Sequence, residues 1–264
     1  MGASVSIPQL QQFLRDDHPP LVIDVRPAAD FFADSVVFAG ALRRDPDAVG
    51  AWAAELPRTS TVVACCAHGR EPSARVAAAL AQAGIAAQYL EGGLEAWKAA
   101  GGAVLSKPAG AGTRWVTRER PKIDRIACPW LIARFIDAQA QFLYVPTGEV
   151  PDAAAREHAT PYDIPGVRFT HVGEQCSFDA FLEAYRLREP AFDRLALIVR
   201  GADTGRLDLA PQAAGLAAVS LGLSRRYADD HEMLRHGMVI YDALYLWCKE
   251  GQDETHTWNP TAYR

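Results

Sequence analysis

The 264-residue chain has no apolar stretch near the roughly 20 residues that a membrane-spanning helix needs, and it has no excess of basic residues. The first lack argues against a membrane protein. The second argues against a general nucleic-acid binder, because 27 Lys+Arg stand against 32 Asp+Glu, for a net charge of -5. The deficit is spread evenly, with 9 basic against 11 acidic residues in 1–113 and 18 against 21 in 114–264. Five cysteines, an odd number at irregular spacings, do not make a disulfide framework. The first ten residues carry no basic segment ahead of an apolar one, so no signal peptide is expected and a reducing cytoplasm is the expected location. No internal repeat is visible. What is present is an ordinary globular composition, 49% hydrophobic and 22% charged, at a length that suits about two domains.

The stretch that organises the chain is Thr61-Val-Val-Ala-Cys65-Cys66-Ala67-His68-Gly69-Arg70-Glu71-Pro72-Ser73-Ala74. Its apolar, β-branched start predicts a short buried strand, and the pattern from Ser73 to Leu80 predicts a helix. Between them Ala67 to Pro72 form a loop whose backbone N–H groups can converge on one point, with the positive end of the helix dipole behind them. A cysteine there has its thiolate stabilised. Side chains alternate along a strand, so Cys65 faces into packing and Cys66 is the candidate nucleophile. The residues alone leave two roles open for Cys66, nucleophile or buried structural thiol. His68 and Arg70 are the candidate cations of the loop or, equally, a solvated loop face. Glu71 is expected to point outward, to Arg26 or Arg75, and Asp24 with Arg26 reads as a structural pair beneath the loop.

Taken in order, Ile7–Leu14 predicts a helix capped by Ser6, Leu21–Arg26 a strand, Ala48–Leu56 a helical segment, Ala87–Leu90 a strand and Glu95–Ala100 a helix ending at Gly101-Gly102. Strands alternating with helices imply a parallel sheet with its site at the carboxyl ends of the strands. Asp24-Val-Arg26, the Gly40-Ala41 step, the Cys66 loop and Leu90-Glu-Gly-Gly93…Trp97 together resemble the rhodanese domain over residues 4–104. The resemblance implies a sulfurtransferase whose loop cysteine, Cys66, carries a persulfide from a thiosulfate-like donor to cyanide or a thiol, with Ala67, His68, Gly69, Arg70, Glu71, Pro72 and Ser73 as the substrate cradle and no cofactor. Two departures stand out. Glu71 occupies the place, five residues after the cysteine, where many single-domain rhodaneses have arginine. The loop is also one residue longer than the commonest form, which implies a wider cup and a larger or tetrahedral oxyanion.

Residues 105–113, rich in Gly, Pro and Ala, read as a linker. From Arg114 the composition changes: Arg114, Arg118, Arg120, Lys122 and Arg125 form a basic cluster, followed by helical spacing from Ile123 to Ile136, where Pro129 suggests a first turn capped by Cys128. Gln141–Val145 and Gly166–His171 read as strands, Arg200-Gly-Ala-Asp203 as a turn, and Phe178–Leu187, Phe192–Val199, Pro211–Leu221 and Glu232–Lys249 as helices. Ser177 is expected to cap one helix and Asp229 or Asp230 the last. His171-x-x-Glu174-x-Cys176 and His231 are residue types that bind zinc-like metals, although capping and core hydrogen bonding account for them as well. Arg120 through Leu131-Ile132, His171 through Asp179, Ile198-Val-Arg-Gly-Ala-Asp203, Asp230-His231 and Tyr241 through Tyr245 resemble the C-terminal domain of chromate-resistance ChrB proteins over 114–264.

The expected fold is therefore α/β: a rhodanese-like parallel sheet flanked by helices, then an α-rich α+β domain. The expected function is a sulfurtransferase using Cys66, coupled to a domain with a role in chromate or oxyanion resistance. A candidate site in that domain comprises Arg120, Lys122, Asp124, Arg125, Cys128, Arg200 and Asp203, with chromate as a possible partner and a metal ion as a possible cofactor. The rival is a non-enzymatic oxyanion or metal sensor, favoured by Glu71 where arginine is absent.

Overall fold

Strands buried on both faces must be apolar along nearly their whole length, and Leu21-Val-Ile and Val62-Val-Ala-Cys65 meet that condition. The computed structural model describes residues 3–16, 19–56, 58–107, 109–110 and 112–252. Residues 108 and 111 of the expected linker and 253–264 of the second expected domain lie outside the described residues. The first half runs β1 (Ser4–Val5), α1 (Ile7–Phe13), β2 (Leu21–Asp24), α2 (Ala28–Ala33), β3 (Val36–Phe38), β4 (Leu42–Arg43), α3 (Val49–Trp52), β5 (Val62–Cys65), α4 (Glu71–Gln82), β6 (Ala87–Leu90), α5 (Gly93–Ala99) and β7 (Val104–Ser106). The second runs β8 (Arg114–Arg118), α6 (Asp124–Leu131), β9 (Gln141–Val145), α7 (Val150–Glu157), β10 (Thr160–Pro161), α8 (Ser177–Ala184), α9 (Pro190–Thr204), α10 (Ala213–Arg226) and α11 (Asp230–Glu250).

The first half is built on a five-stranded parallel sheet in the order β1-β6-β5-β2-β4. Alternation along β5 sends Val62 and Ala64 toward Val76, Ala77 and Leu80 of α4, and Val63 and Cys65 toward Leu10 of α1 and Leu94 and Trp97 of α5. Both faces are thus covered, and the carboxyl end of the central strand opens into the Cys66 loop. Gln9 Oε1 accepts the Ser6 backbone N–H at 3.0 Å, closing the start of α1. Val104–Ser106, partly assigned to the linker, is strand: it pairs antiparallel with Val36–Phe38, because apolar Val104 and Leu105 pack beside that edge.

The second half holds a three-stranded parallel sheet, β10-β8-β9, with α7 packed against it, and among the described residues five further α-helices. Several local expectations fail there for tertiary reasons. The helix at Asp124 starts five residues before Pro129, so Cys128 is no cap; Ile126, Ala127, Cys128, Trp130 and Leu131 are all buried, and their packing outweighs the hydrogen bond that proline forfeits. Gly166–His171 forms no strand. Phe169 alone bridges to Tyr162, and its ring stacks on Phe181 at 4.3 Å, so the apolar pattern reports an anchored loop. Arg200–Asp203 is helical rather than a turn, since Gly201 lets the Arg206 carbonyl and Ala213 approach α9 closely. Cys176, not Ser177, caps α8, with Asp179 Oδ2 accepting the Cys176 N–H at 2.9 Å. Asp229 caps α11 through the Glu232 N–H at 2.7 Å.

One apolar core joins the halves, running from Leu42, Trp52 and Leu56 to Trp130, Ile132 and Ile136. Arg44 donates to the Phe135 carbonyl across this boundary at 2.8 Å. Among the described residues no helix is long and apolar enough to cross a membrane.

Phe169 is fully buried against Trp115 and Phe181. Truncating it to alanine is expected to cost about 3–5 kcal/mol, read as a lowered midpoint of urea unfolding; a loss under about 1 kcal/mol would mean that the 163–171 loop is held by its polar contacts instead.

Candidate functional site

The Cys66 loop is defined by where its carbonyls go. The Cys66 carbonyl accepts from Leu94 N–H at 2.9 Å and the Ala67 carbonyl from Glu95 N–H at 3.0 Å, so the first free amides of α5 hold the outer side of the loop. Gly69, at φ +64°, rests on the β6–α5 turn so tightly that a Cβ would stand 2.4 Å from the Leu90 carbonyl oxygen. A Cβ on Gly93 would stand 2.3 Å from the Cys66 carbonyl oxygen. The Leu90-Glu-Gly-Gly93 motif is therefore a side-chain-free bed for the loop.

With those two carbonyls turned outward, one amide of the loop faces the sulfur. The Cys66 sulfur receives the Arg70 backbone N–H at 3.4 Å and lies 3.1 Å from the Ser73 hydroxyl. Glu71 and Pro72 are already in the first turn of α4, where proline is tolerated, and Ser73 is buried there, aimed at the sulfur. His68 and Arg70 are exposed on the rim. Glu71 points outward to Arg75, Oε1 to Nε at 3.1 Å. Cys65 lies on the other face of the sheet, and burial, with Asp24 beside it, pushes its thiol well above the usual cysteine range. Below, Arg26 and Asp24 form a buried pair at 2.6 Å, with Asp34 as a second acceptor at 3.1 Å. Burial opposes the Arg26 charge, yet the two carboxylates outweigh it and hold its pKa up.

In the second half the seven candidate residues do not gather in one place. Arg120 spans to the carbonyls of Ser224, Tyr227 and Ala228. Arg200 is taken by Asp179, at 2.6 Å. Cys128 is fully buried, and burial together with Asp124 pushes its thiol well up. Lys122 is half-buried at the turn before α6. Asp124, Arg125 and Asp203 do converge, around His171 and around Asp163, a residue that no motif singles out. His171 Nε2 lies 3.2 Å from Asp124, 3.3 Å from Asp163 and 3.2 Å from Asp203. Asp163 also takes Arg118 at 2.7 Å and Arg125 at 3.3 Å. It sits in a loop at φ +53°, a conformation that no local motif announces.

The electrostatics follow from this crowding. A hydrogen bond that the His171 ring N–H donates to Asp124, against the cost of burial, raises His171 to about 9. Burial, reinforced by Asp124, raises Asp203 to about 8. The other candidate ligands are elsewhere: Glu174 is exposed beside Arg206 at 3.5 Å, Cys176 is buried as a helix cap, and His231 stands edge-on to Tyr144 at 5.5 Å. The cluster that could hold a cation is carboxylate-rich, with Asp124, Asp163 and His171 ligand atoms all within 4.8 Å of one another.

Comparison with known proteins agrees with this division. Residues 6–100 match the rhodanese-like domain model and residues 115–248 match the model described as ChrB, C-terminal domain. The chain is 35% identical to Protein ChrB of Cupriavidus metallidurans over 136 residues, which is 51% of this chain but 40% of that relative's length. Among solved structures, a rhodanese-related protein of Thermoplasma volcanium is 23% identical, covering 39% of this chain and 97% of its own, with a TM-score of 0.35. A rhodanese-like domain protein of Staphylococcus aureus is 25% identical, covering 36% and 90%, with a TM-score of 0.33. With half of its length inside the family model, the chain belongs to the ChrB C-terminal-domain family and carries a rhodanese-like domain ahead of that part.

Proposed function

We propose that this protein is a rhodanese-type sulfurtransferase whose Cys66 carries a persulfide, working in a chromate- or oxyanion-resistance setting. The observation that carries the reading is the Cys66 sulfur at the carboxyl end of the central strand, facing an inward amide and the buried Ser73 hydroxyl. The serine proton, which otherwise goes to the Arg70 carbonyl at 3.1 Å, can turn to the sulfur when the latter is a thiolate.

In the first half-reaction the thiolate attacks the outer sulfur of a thiosulfate-like donor. A sulfur–sulfur bond forms to Cys66, and the donor's own bond breaks with its electron pair leaving on sulfite. In the second, cyanide or a thiolate attacks the outer sulfur and Cys66 leaves as thiolate, ready for another cycle. His68 and Arg70 at the rim suit an anionic donor, and Glu71 does not oppose it because it is turned toward Arg75. The enclosure of the thiol, with Cys66 3% exposed, favours one second reading, a loop that binds an oxyanion without turnover.

Thiosulfate:cyanide transfer on the full chain separates the two. Wild type is expected to turn over and to carry one added sulfur by mass spectrometry, and Cys66→Ala to lose both. Ser73→Ala removes a hydrogen bond to a charged sulfur worth about 1.5–3 kcal/mol and should lower kcat/KM by about 10- to 100-fold. A wild type that neither turns over nor gains sulfur, yet binds chromate or thiosulfate, establishes the binding reading.

Cys65, Cys128, Cys176 and Cys248 are free and buried, and burial pushes each of their thiols above the usual range. On the sulfurtransferase reading, iodoacetamide at about pH 8 labels native wild type at Cys66 alone, leaves native Cys66→Ala unlabelled, and labels all four remaining thiols once denatured. Labelling of native Cys66→Ala would show that another thiol is the reactive one.

A further inference from the structure

Buried carboxylates need a cation, and the cations of the second half are unevenly shared. Asp163 turns Oδ2 to Arg118 and Arg125, and its Oδ1 takes the Ser177 hydroxyl at 2.8 Å while facing His171. Asp124 has no such support. It is 2% exposed, and among the described residues His171 is its only ion-pair partner. Asp203, near the end of α9 and half-buried, leans on the same imidazole nitrogen. An imidazole nitrogen has one N–H to give, yet Nε2 faces three carboxylate oxygens at 3.2–3.3 Å. A buried carboxylate and a half-buried one thus share one imidazole with Asp163, and among the described residues no guanidinium pairs with Asp124.

Two of the ligand-atom separations match those of a coordination shell, and all three ligand atoms lie within 4.8 Å of one another. Around a four-coordinate first-row ion with bonds of about 2.0–2.1 Å, neighbouring ligand atoms stand about 3.3 Å apart, and His171 Nε2 meets both Asp124 and Asp163 at that separation. The ligand atoms arrive from separate segments: the first residue of α6, the loop after β10, and the loop before α8. Asp163 has the outer support that metal-binding carboxylates have, with its distal oxygen on two arginines. The His171 side chain is 41% exposed, so the cluster meets solvent on the imidazole side.

We propose that Asp124, Asp163 and His171 bind one divalent first-row transition ion, with Asp203 beside it as a fourth ligand or as a hydrogen-bonding partner of an ion-bound water. Two or three carboxylates with one imidazole suit manganese, ferrous iron or zinc rather than copper(I) or another thiophilic ion. Cys176 and Cys128 lie outside this group of mutually close ligand atoms, Cys176 as the cap of α8 and Cys128 within the apolar core.

The test uses the full chain, stripped with a chelator and titrated separately with Mn²⁺, Zn²⁺ and, without oxygen, Fe²⁺, with bound metal counted after gel filtration. At least one of these ions is expected to bind one per chain. His171→Ala, at a half-exposed position that the fold tolerates, and Asp124→Asn, which keeps the side-chain shape, should each weaken that ion at least about tenfold, while Cys66→Ala binds as wild type does. Circular dichroism confirms that each variant is folded. The proposal is overturned if wild type binds none of the three ions, or if folded His171→Ala and Asp124→Asn both bind as wild type does; the cluster is then a proton-bridged ionic network.

Discussion

Two backbones meet in this protein with no room for a side chain between them, and the candidate active site depends on that contact. Gly69 of the Cys66 loop lies against Leu90, Gly92 and Gly93, and a Cβ on either side would collide with backbone atoms. The close approach lets the free amides at the start of α5 take the Cys66 and Ala67 carbonyls. Once those carbonyls face outward, the amide of Arg70 can face the sulfur. An anion-receptive cup is the consequence of carbonyls being engaged elsewhere, and the glycines serve backbone contact rather than flexibility.

The two halves handle buried charge in opposite ways. Under the Cys66 loop, Arg26 is matched by Asp24 and Asp34 and is held charged in spite of burial. That pair braces the ends of β2 and α2 and leaves the loop itself free of fixed charge except at its rim. Around His171 the balance is inverted, with three carboxylates on one imidazole and both arginines committed to Asp163. A site poor in positive charge can accept a cation, whereas the Cys66 cup, with His68 and Arg70 above it, can accept an anion.

The first half was legible because its signals are local. An apolar run on each side of a glycine-bearing loop specifies strand, turn and helix within about twenty residues of chain, and Cys66 follows from alternation along that strand. The second half was less legible because its decisive contacts are distant in sequence. Proline in α6 and glycine in α9 contradict local propensity, and only burial and close packing against other segments explain them. The basic cluster at 114–125 looked like an oxyanion site, yet Arg114 and Arg118 each meet an acidic side chain and Arg120 meets backbone carbonyls. His171, Asp124 and Asp203 were selected for separate reasons, but nothing short of the fold brings them together, and Asp163 has no motif at all.

The boundary between the halves shows why they behave as one body. At the end of the helical segment that follows α6, the Phe135 carbonyl lies beyond the reach of that segment's own amides, and Arg44, next to β4, donates to it. Arg44 is itself so desolvated that burial lowers its pKa, and its hydrogen bond to the carbonyl offsets part of that cost. Trp130 of α6 and Arg134 of the following segment fix Asp242 of α11 at 2.7–2.9 Å. The chain from the rhodanese-like sheet to the last helix is thus continuous in hydrogen bonds as well as in apolar packing. The segment that forms the boundary is continuous with the helix that begins at Asp124, so the contact that joins the halves and the carboxylate that faces His171 lie toward opposite ends of one helical stretch.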